Sequence, residues 1–76
     1  MTEQEKRIAR AQTAVKAYYD GGAWGSYDEI IGDLLADLMH YVDALRTDRE
    51  LEEDTTFDDL LATAEMHYNA EINGED

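Results

Sequence analysis

The chain alternates between amphipathic stretches with helical spacing and short polar or glycine-rich breaks. In the first stretch, apolar residues recur every three or four positions, so they share one face of an α-helix. They are Ile8, Ala11, Val15 and either Tyr18 or Tyr19. Thr2 and Glu5 have the spacing of a capping box, and Gly21-Gly22 supplies a left-handed stop. The pattern predicts a first helix over about residues 2–20.

The second stretch carries the broadest apolar face and predicts a helix over about residues 26–46. Its apolar residues are Tyr27, Ile30, Ile31, Leu34, Leu35, Leu38, Tyr41, Val42 and Leu45. At about 100° per residue they fall on one side of a helical wheel. Ser26 and Glu29 form a second capping-box pair. Gly32 costs a helix up to about 1 kcal/mol relative to alanine, which suggests that a neighbouring helix approaches closely there.

The third stretch follows the polar segment TDRELEEDT (47–55) and predicts a helix over about residues 56–72. Its apolar residues are Phe57, Leu60, Leu61, Ala64, Tyr68 and Ile72. Thr56 and Asp59 repeat the spacing of the earlier caps. The sequence therefore predicts an all-α fold with a single acidic domain over residues 1–76. The economical architecture is a small three-helix bundle with short connections.

Charge is the extreme feature of the composition. Nineteen acidic residues face six basic ones, which gives a net charge of −13. Residues 1–19 are net +2 and residues 20–76 are net −15. Such an excess repels nucleic acid and anionic membranes, so we expect direct binding to neither. Three uses remain: solubility, a cationic partner, or adaptation to high salt, which would require molar salt for folding.

Composition also argues against several kinds of chemistry. There is no cysteine, hence no disulfide, thiolate zinc site or cysteine nucleophile. No apolar run approaches the about 20 residues that span a bilayer, and the first residues do not resemble a signal peptide. We therefore expect a soluble, intracellular protein of the cytoplasm. Ser26 is the only serine and is needed as a cap, and no pair of acids is singled out as acid and base. We expect neither an enzyme nor a cofactor.

Two metal sites are conceivable and neither is predicted. Asp33, Asp37 and His40 lie on one helical face, and carboxylates with imidazole suit divalent cations. A solvated histidine beside acids explains the same pattern. Residues 48–59 place acids at positions 1, 3, 5, 7 and 12 of a calcium loop. Glu53 occupies the sixth position, where the sharp turn requires glycine.

The acids of the second helix form a regular row. Glu29, Asp33 and Asp37 are four residues apart, so successive charges rise by about 6 Å. The predicted partner-binding residues are Glu29, Asp33, Asp37, Asp43, Glu50, Glu52, Glu53, Asp54, Asp58 and Asp59, together with Trp24. Rows of carboxylates resemble backbone phosphates in potential, and would attract a groove lined with arginine and lysine. An ordinary solvated face is the alternative interpretation.

Trp24 lies in a glycine-rich turn, DGGAWGSY, among several tyrosines. The favoured interpretation is that Trp24 covers the core between the first two helices. Tryptophan and tyrosine also dominate binding hot spots. An exposed Trp24 flanked by acids would instead be a docking anchor.

The stretch DLLADLMHYVDAL followed by FDDLLATAEMHYNAE, within residues 33–71, resembles small acidic helical proteins encoded by phages and plasmids. The resemblance implies cargo of a mobile element, where proteins of this size and charge include anti-CRISPR and anti-restriction inhibitors. It suggests an inhibitor that occupies a nucleic-acid or target-recognition surface of a host defence complex, such as a CRISPR effector. The motif itself identifies no active residue.

Two functions stay open at this point. One is an acidic inhibitor that binds a basic nucleic-acid-binding host protein by mimicking nucleic-acid charge. The other is a non-catalytic helical interaction or dimerisation module whose acids serve solubility only. A homodimer is compatible with both.

Overall fold

The computed structural model describes residues 2–74 and is all-helical. Its elements are α1 (Glu3–Asp20), α2 (Tyr27–Thr47) and α3 (Phe57–Ile72). The all-α prediction is confirmed, and each predicted boundary agrees to within one residue. The three-helix bundle and the single domain over 1–76 stay predictions, and three residues of that range, Met1, Glu75 and Asp76, lie outside the described residues. Within residues 2–74, no helix has an apolar stretch that could cross a bilayer.

Two of the three helices begin at a threonine that acts as predicted. The Thr2 hydroxyl accepts a hydrogen bond from the Glu5 N–H at 3.1 Å. At α3 the capping box is reciprocal. Thr56 Oγ1 accepts from the Asp59 N–H at 3.2 Å, and the Asp59 carboxylate accepts from the Thr56 N–H at 3.1 Å. A side-chain cap of this kind contributes about 1 kcal/mol to helix stability.

The start of α2 differs from the predicted capping box. The Ser26 hydroxyl donates to carboxylate oxygens of Asp28 and Glu29, at 2.6 Å and 2.7 Å. It has one hydrogen and serves one carboxylate at a time. A charged acceptor makes a stronger hydrogen bond than a neutral one, which explains why the hydroxyl turns to the acids. This bond, followed by bonds from the backbone N–H groups of Asp28 and Glu29, lowers the pKa of the Asp28 carboxyl.

The C-terminus of α1 closes in a Schellman motif. The Gly22 N–H donates to the Tyr19 carbonyl at 3.0 Å, and the Ala23 N–H donates to the Tyr18 carbonyl at 3.3 Å. Gly22 has φ 111°, a conformation that glycine adopts without steric cost. The predicted glycine stop is therefore present and turns the chain toward Trp24.

The C-terminus of α2 has the same Schellman pattern of hydrogen bonds, but an arginine takes the position of the glycine. The Arg49 N–H donates to the Arg46 carbonyl at 3.1 Å, and the Glu50 N–H donates to the Leu45 carbonyl at 2.8 Å. Arg49 has φ 64° and is the one non-glycine residue with positive φ in the described part of the chain. An L-residue with a side chain pays about 1–2 kcal/mol for this left-handed conformation.

The chain divides into two compact units, Met1–Leu38 and Met39–Asp76. The first contains α1 and the N-terminal part of α2, and its fully buried side chain is Ile30. The second contains the rest of α2 with α3, and its buried hydrophobic side chain is Val42. The apolar face predicted for α2 is thus wider than the part that is buried, since Tyr27 stays 72% exposed and Tyr41 59% exposed.

Gly32 does not mark a close helix approach, so that expectation is wrong. A Cβ added to Gly32 would meet no atom within 4 Å.

Replacing Gly32 with alanine should therefore raise the free energy of unfolding by about 1 kcal/mol, because alanine has lower backbone entropy when unfolded. Urea titration followed by circular dichroism measures this change. The reverse substitution at exposed Ala44 of the same helix, Ala44→Gly, should lower it by a similar amount. A Gly32→Ala variant that is less stable than wild type would contradict this account of Gly32.

Replacing Arg49 with glycine should stabilise the protein by about 1 kcal/mol, because glycine removes the steric cost of positive φ. Arg49→Ala is the matched control: it removes the same charge but keeps the strained conformation, and should leave the unfolding midpoint near wild type. Equal midpoints for the glycine and alanine variants would show that the backbone at this position is not strained.

Candidate functional site

A shallow groove in the first unit brings together four of the predicted partner-binding residues. Its volume is about 480 Å³, and its lining includes Tyr18, Ala23, Trp24, Glu29, Asp33 and Asp37. The end of α1 supplies the tyrosine, the following turn supplies the tryptophan, and the first three turns of α2 supply the carboxylates. The groove thus combines an aromatic wall with a row of acids. We call it the acidic groove.

Trp24 is 85% exposed, so the expectation that it covers the core is wrong. Ile30 fills the buried position in this unit instead. The turn that carries Trp24 is held by the Schellman bonds and by the Tyr19 hydroxyl, which donates to the Gly25 carbonyl at 2.8 Å. An indole left in water keeps a large apolar surface available for a partner.

A tyrosine–aspartate hydrogen bond joins α1 to α2 at the side of the acidic groove. The Tyr18 hydroxyl donates to Asp37 Oδ2 at 2.5 Å. This hydrogen bond raises the pKa of Tyr18 to about 12, because the bond is lost when the phenol gives up its proton. Burial and the negative charges of Asp37 and Asp33 add smaller contributions in the same direction. No sequence pattern predicts this pairing, because a tyrosine near one helix end and acids on the next helix are common.

Glu29 is held in place by the turn before α2. Its carboxylate accepts a hydrogen bond from Ser26 at 2.7 Å. Gly25 has φ 133°, and a Cβ there would lie 3.5 Å from both Cβ and Oε2 of Glu29. The backbone of the turn therefore lies against this side chain, and a larger residue at Gly25 would be strained. The Ser26 hydrogen bond, which Glu29 shares with Asp28, and the adjacent turn restrict this carboxylate at the end of the acidic groove.

The remaining predicted residues belong to the second unit. Asp43 forms an ion pair with Arg46, whose side chain is 29% exposed and whose Nε has no hydrogen-bond partner in the described structure. The negative charge of Asp43 is thus partly offset by Arg46. The others are exposed and lie in the α2–α3 connection and the first turn of α3: Glu50, Glu52, Glu53, Asp54, Asp58 and Asp59. They form a second acidic strip, which we describe by itself.

Asp59 has the helix-capping role that its spacing from Thr56 predicts. The Asp59 carboxylate accepts a hydrogen bond from the backbone N–H of Thr56 and lies beside the Thr56 hydroxyl. These contacts lower the pKa of Asp59. The carboxylate at position 12 of the conceivable calcium loop is therefore already engaged as a helix cap. Within residues 2–74, no three His, Cys, Asp or Glu side chains are grouped so that they could hold a metal ion, and His40 is exposed on α2.

The acidic groove is suited to binding a cation. An exposed indole attracts an ammonium or guanidinium group through its π face. Carboxylates bind guanidinium groups with paired, charge-assisted hydrogen bonds. The chemistry of the lining thus favours recognition of lysine and arginine side chains.

The Tyr18–Asp37 bond predicts a late tyrosine titration. Of the five tyrosines, Tyr18 should ionise near pH 12, whereas an ordinary tyrosine ionises near pH 10. Phenolate absorbance measures this directly. Asp37→Asn should return Tyr18 toward pH 10, because an amide carries no charge to disfavour the phenolate. Tyr18→Phe should remove the late step altogether.

The same bond sets a pH dependence of stability. The folded pKa of Tyr18 lies above the unfolded value, so its contribution is complete below about pH 10 and is lost as the pH rises toward 12. The difference in unfolding free energy between wild type and Tyr18→Phe should shrink over that window. A wild-type protein in which all five tyrosines ionise together near pH 10 would contradict the bond.

Comparison of the chain with protein-family models, curated proteins and solved structures found no match. The resemblance to phage and plasmid proteins stays a prediction.

Proposed function

We propose that this protein is a small, non-catalytic inhibitor from a mobile genetic element. In this proposal it binds a basic, nucleic-acid-binding surface of a host defence complex, such as a CRISPR effector, and excludes the nucleic acid from it. The protein acts in the host bacterial cytoplasm and keeps the predicted three-helix bundle as its scaffold. It contacts its partner through carboxylates that take the place of backbone phosphates.

The acidic groove is the observation that carries the proposal. It places the exposed indole of Trp24 beside Glu29, Asp33 and Asp37. A lysine or arginine of the partner would meet a π face and carboxylates in one site. Charge alone would give a diffuse attraction, whereas an aromatic anchor next to charges gives a defined contact. Such anchors account for most of the binding energy in protein interfaces.

The overall charge supports long-range attraction to a basic partner. Net −13 in 76 residues produces a strong negative potential, which speeds association with a basic surface and repels nucleic acid. The second acidic strip contributes six further carboxylates to the same field. Because these groups are exposed, salt screens the attraction over a Debye length of about 10 Å at 0.1 M. Binding should therefore weaken steeply as salt increases.

Charge placement in α2 favours a binding role over simple solubility. Asp28 and Glu29 lie in the first turn, where negative charge is favourable at the positive end of the helix dipole. Asp33 and Asp37 lie further along the helix, beyond the reach of that effect. Carboxylates four residues apart repel one another by about 0.2–0.5 kcal/mol. Asp37 accepts the hydrogen bond from Tyr18, and the position of Asp33 is explained if it faces a cationic partner.

The proposal predicts loss of partner binding in Asp33→Lys combined with Trp24→Ala. Both side chains are exposed, so helicity should stay unchanged. Immobilised wild-type and variant proteins would be exposed to bacterial lysate at low salt and eluted with a gradient from about 50 to 200 mM, a range over which phosphate-type contacts lose most of their affinity. Nucleic-acid-binding proteins should be retained by wild type, released by salt, and missing from the variant. The purified partner should then lose its nuclease or DNA-binding activity when wild-type protein is added.

The matched control is Asp48→Lys combined with Met66→Ala. It makes the same change in net charge and also removes an exposed apolar side chain, but neither residue lines the acidic groove. This control should retain and inhibit the same proteins as wild type. Equal capture by wild type and the groove variant, or a salt-resistant partner without a basic surface, would reject the proposal.

A further inference from the structure

The chain has two asparagines, and they present the same side-chain amide in two different backbone settings. Asn69 lies inside α3 and is followed by Ala70, whereas Asn73 caps the C-terminal end of α3 and is followed by Gly74. Both asparagines are exposed. An asparagine before glycine readily loses its amide, because glycine puts no side chain beside the backbone nitrogen that attacks it. Exposure is thus shared by the two asparagines, and the backbone separates them.

The backbone at Asn73 is held by the last hydrogen bonds of α3. The Asn73 N–H donates to the Asn69 carbonyl at 3.1 Å, and the Gly74 N–H donates to the Glu71 carbonyl at 3.2 Å. The second bond is at the long end of the usual N–H···O range, and helix ends fray. Gly74 is exposed, and a Cβ built on it would meet no atom within 4 Å. Rotation of this peptide group therefore displaces no packed side chain.

We propose that Asn73 is a site of spontaneous deamidation, which converts it to aspartate and isoaspartate. The Gly74 nitrogen gives its proton to hydroxide and attacks Cγ of Asn73. The new N–Cγ bond closes a succinimide ring, the Cγ–Nδ2 bond breaks, and the amide leaves as ammonia after taking a proton from water. Water then opens the ring: cleavage at Cγ gives aspartate, and cleavage at the main-chain carbonyl gives isoaspartate. The reaction consumes one water and releases one ammonia, so it needs no oxidant and no enzyme.

Asn69 and Asp20 lack the combination found at Asn73. The nitrogen after Asn69 belongs to Ala70, which lies within the hydrogen-bond ladder of α3 and carries a methyl group beside that nitrogen. Asp20 also precedes a glycine, but the Gly21 N–H donates to two carbonyls of the last turn of α1, at 3.0 Å and 3.2 Å. The Asp20 carboxylate forms an ion pair with a lysine, and a carboxylate attracts a nucleophile less than an amide does. The reaction is therefore expected at Asn73.

Deamidation changes both the charge and the backbone at the end of α3. It adds a negative charge to a chain of net −13, at the end of a helix where the dipole disfavours anions. Isoaspartate also lengthens the main chain by one methylene group, so the Gly74 N–H can no longer keep its bond to the Glu71 carbonyl. The last turn of α3 should therefore loosen. None of these residues lines the acidic groove, so the modification is independent of the proposed function.

Ageing the purified protein in buffer, followed by peptide mass mapping, tests the proposal. A protease that cleaves after glutamate separates the two asparagines, because Glu71 lies between them. In wild type, the peptide that contains Asn73 should gain one mass unit and divide into an aspartate and an isoaspartate form. The peptide that contains Asn69 should stay unchanged. The gain should be faster in alkaline than in mildly acidic buffer, because the attacking nitrogen must lose its proton.

Gly74→Ala is the matched control, because it keeps Asn73 but places a methyl group beside the attacking nitrogen. It should slow the mass gain severalfold. Wild type aged in urea measures the same reaction without the helix, and its rate should be close to that of the folded chain. An Asn73 that reacts in urea and stays intact in the folded chain would overturn the inference, since the helix end would then protect it. Equal rates at Asn69 and Asn73, or an unchanged rate in Gly74→Ala, would also overturn it.

Discussion

The hydrogen bond between Tyr18 and Asp37 is the constraint on which the acidic groove depends. It fixes the end of α1 against α2 at 2.5 Å from phenol to carboxylate. The Schellman turn then starts from a fixed point, and Tyr19 holds the far side of the turn at Gly25. In the turn held in this way Trp24 is 85% exposed, while Ile30 is the fully buried side chain of the unit.

The acids of this chain divide into those with a local structural role and those without one. Each helix has two acids in its first turn, where the helix dipole favours them, and Asp59 completes a capping box. Asp33 has no such role, and Asp37 is engaged with Tyr18 while keeping its charge. The acids at the helix starts are thus explained by local structure, whereas Asp33 is one whose position the proposed cationic partner would explain.

Sequence reasoning predicted the helices well and the tertiary contacts poorly. Thr2 and Thr56 were recognised as caps because capping depends on residues three apart, within reach of local pattern. The capping box predicted at Ser26 is absent because two adjacent carboxylates compete for its hydroxyl, which the capping pattern does not include. The burial of Ile30 rather than Trp24, and the pairing of Tyr18 with Asp37 nineteen residues later, depend on how two helices meet. Hydrophobic spacing predicted the broad apolar face of α2 but could not show that Tyr27 and Tyr41 on that face stay exposed.

Trp24 is the only tryptophan, so its fluorescence tests the central claim directly: an exposed indole lies among carboxylates. Caesium and iodide ions both quench the fluorescence of exposed indoles. Negatively charged surroundings concentrate the caesium cation and repel the iodide anion. Caesium should therefore quench Trp24 more strongly than iodide, and Asp33→Lys should reduce that difference. Weak quenching by both ions would show that Trp24 is buried. Stronger quenching by iodide would show that no acidic groove surrounds it, and either result would contradict the account.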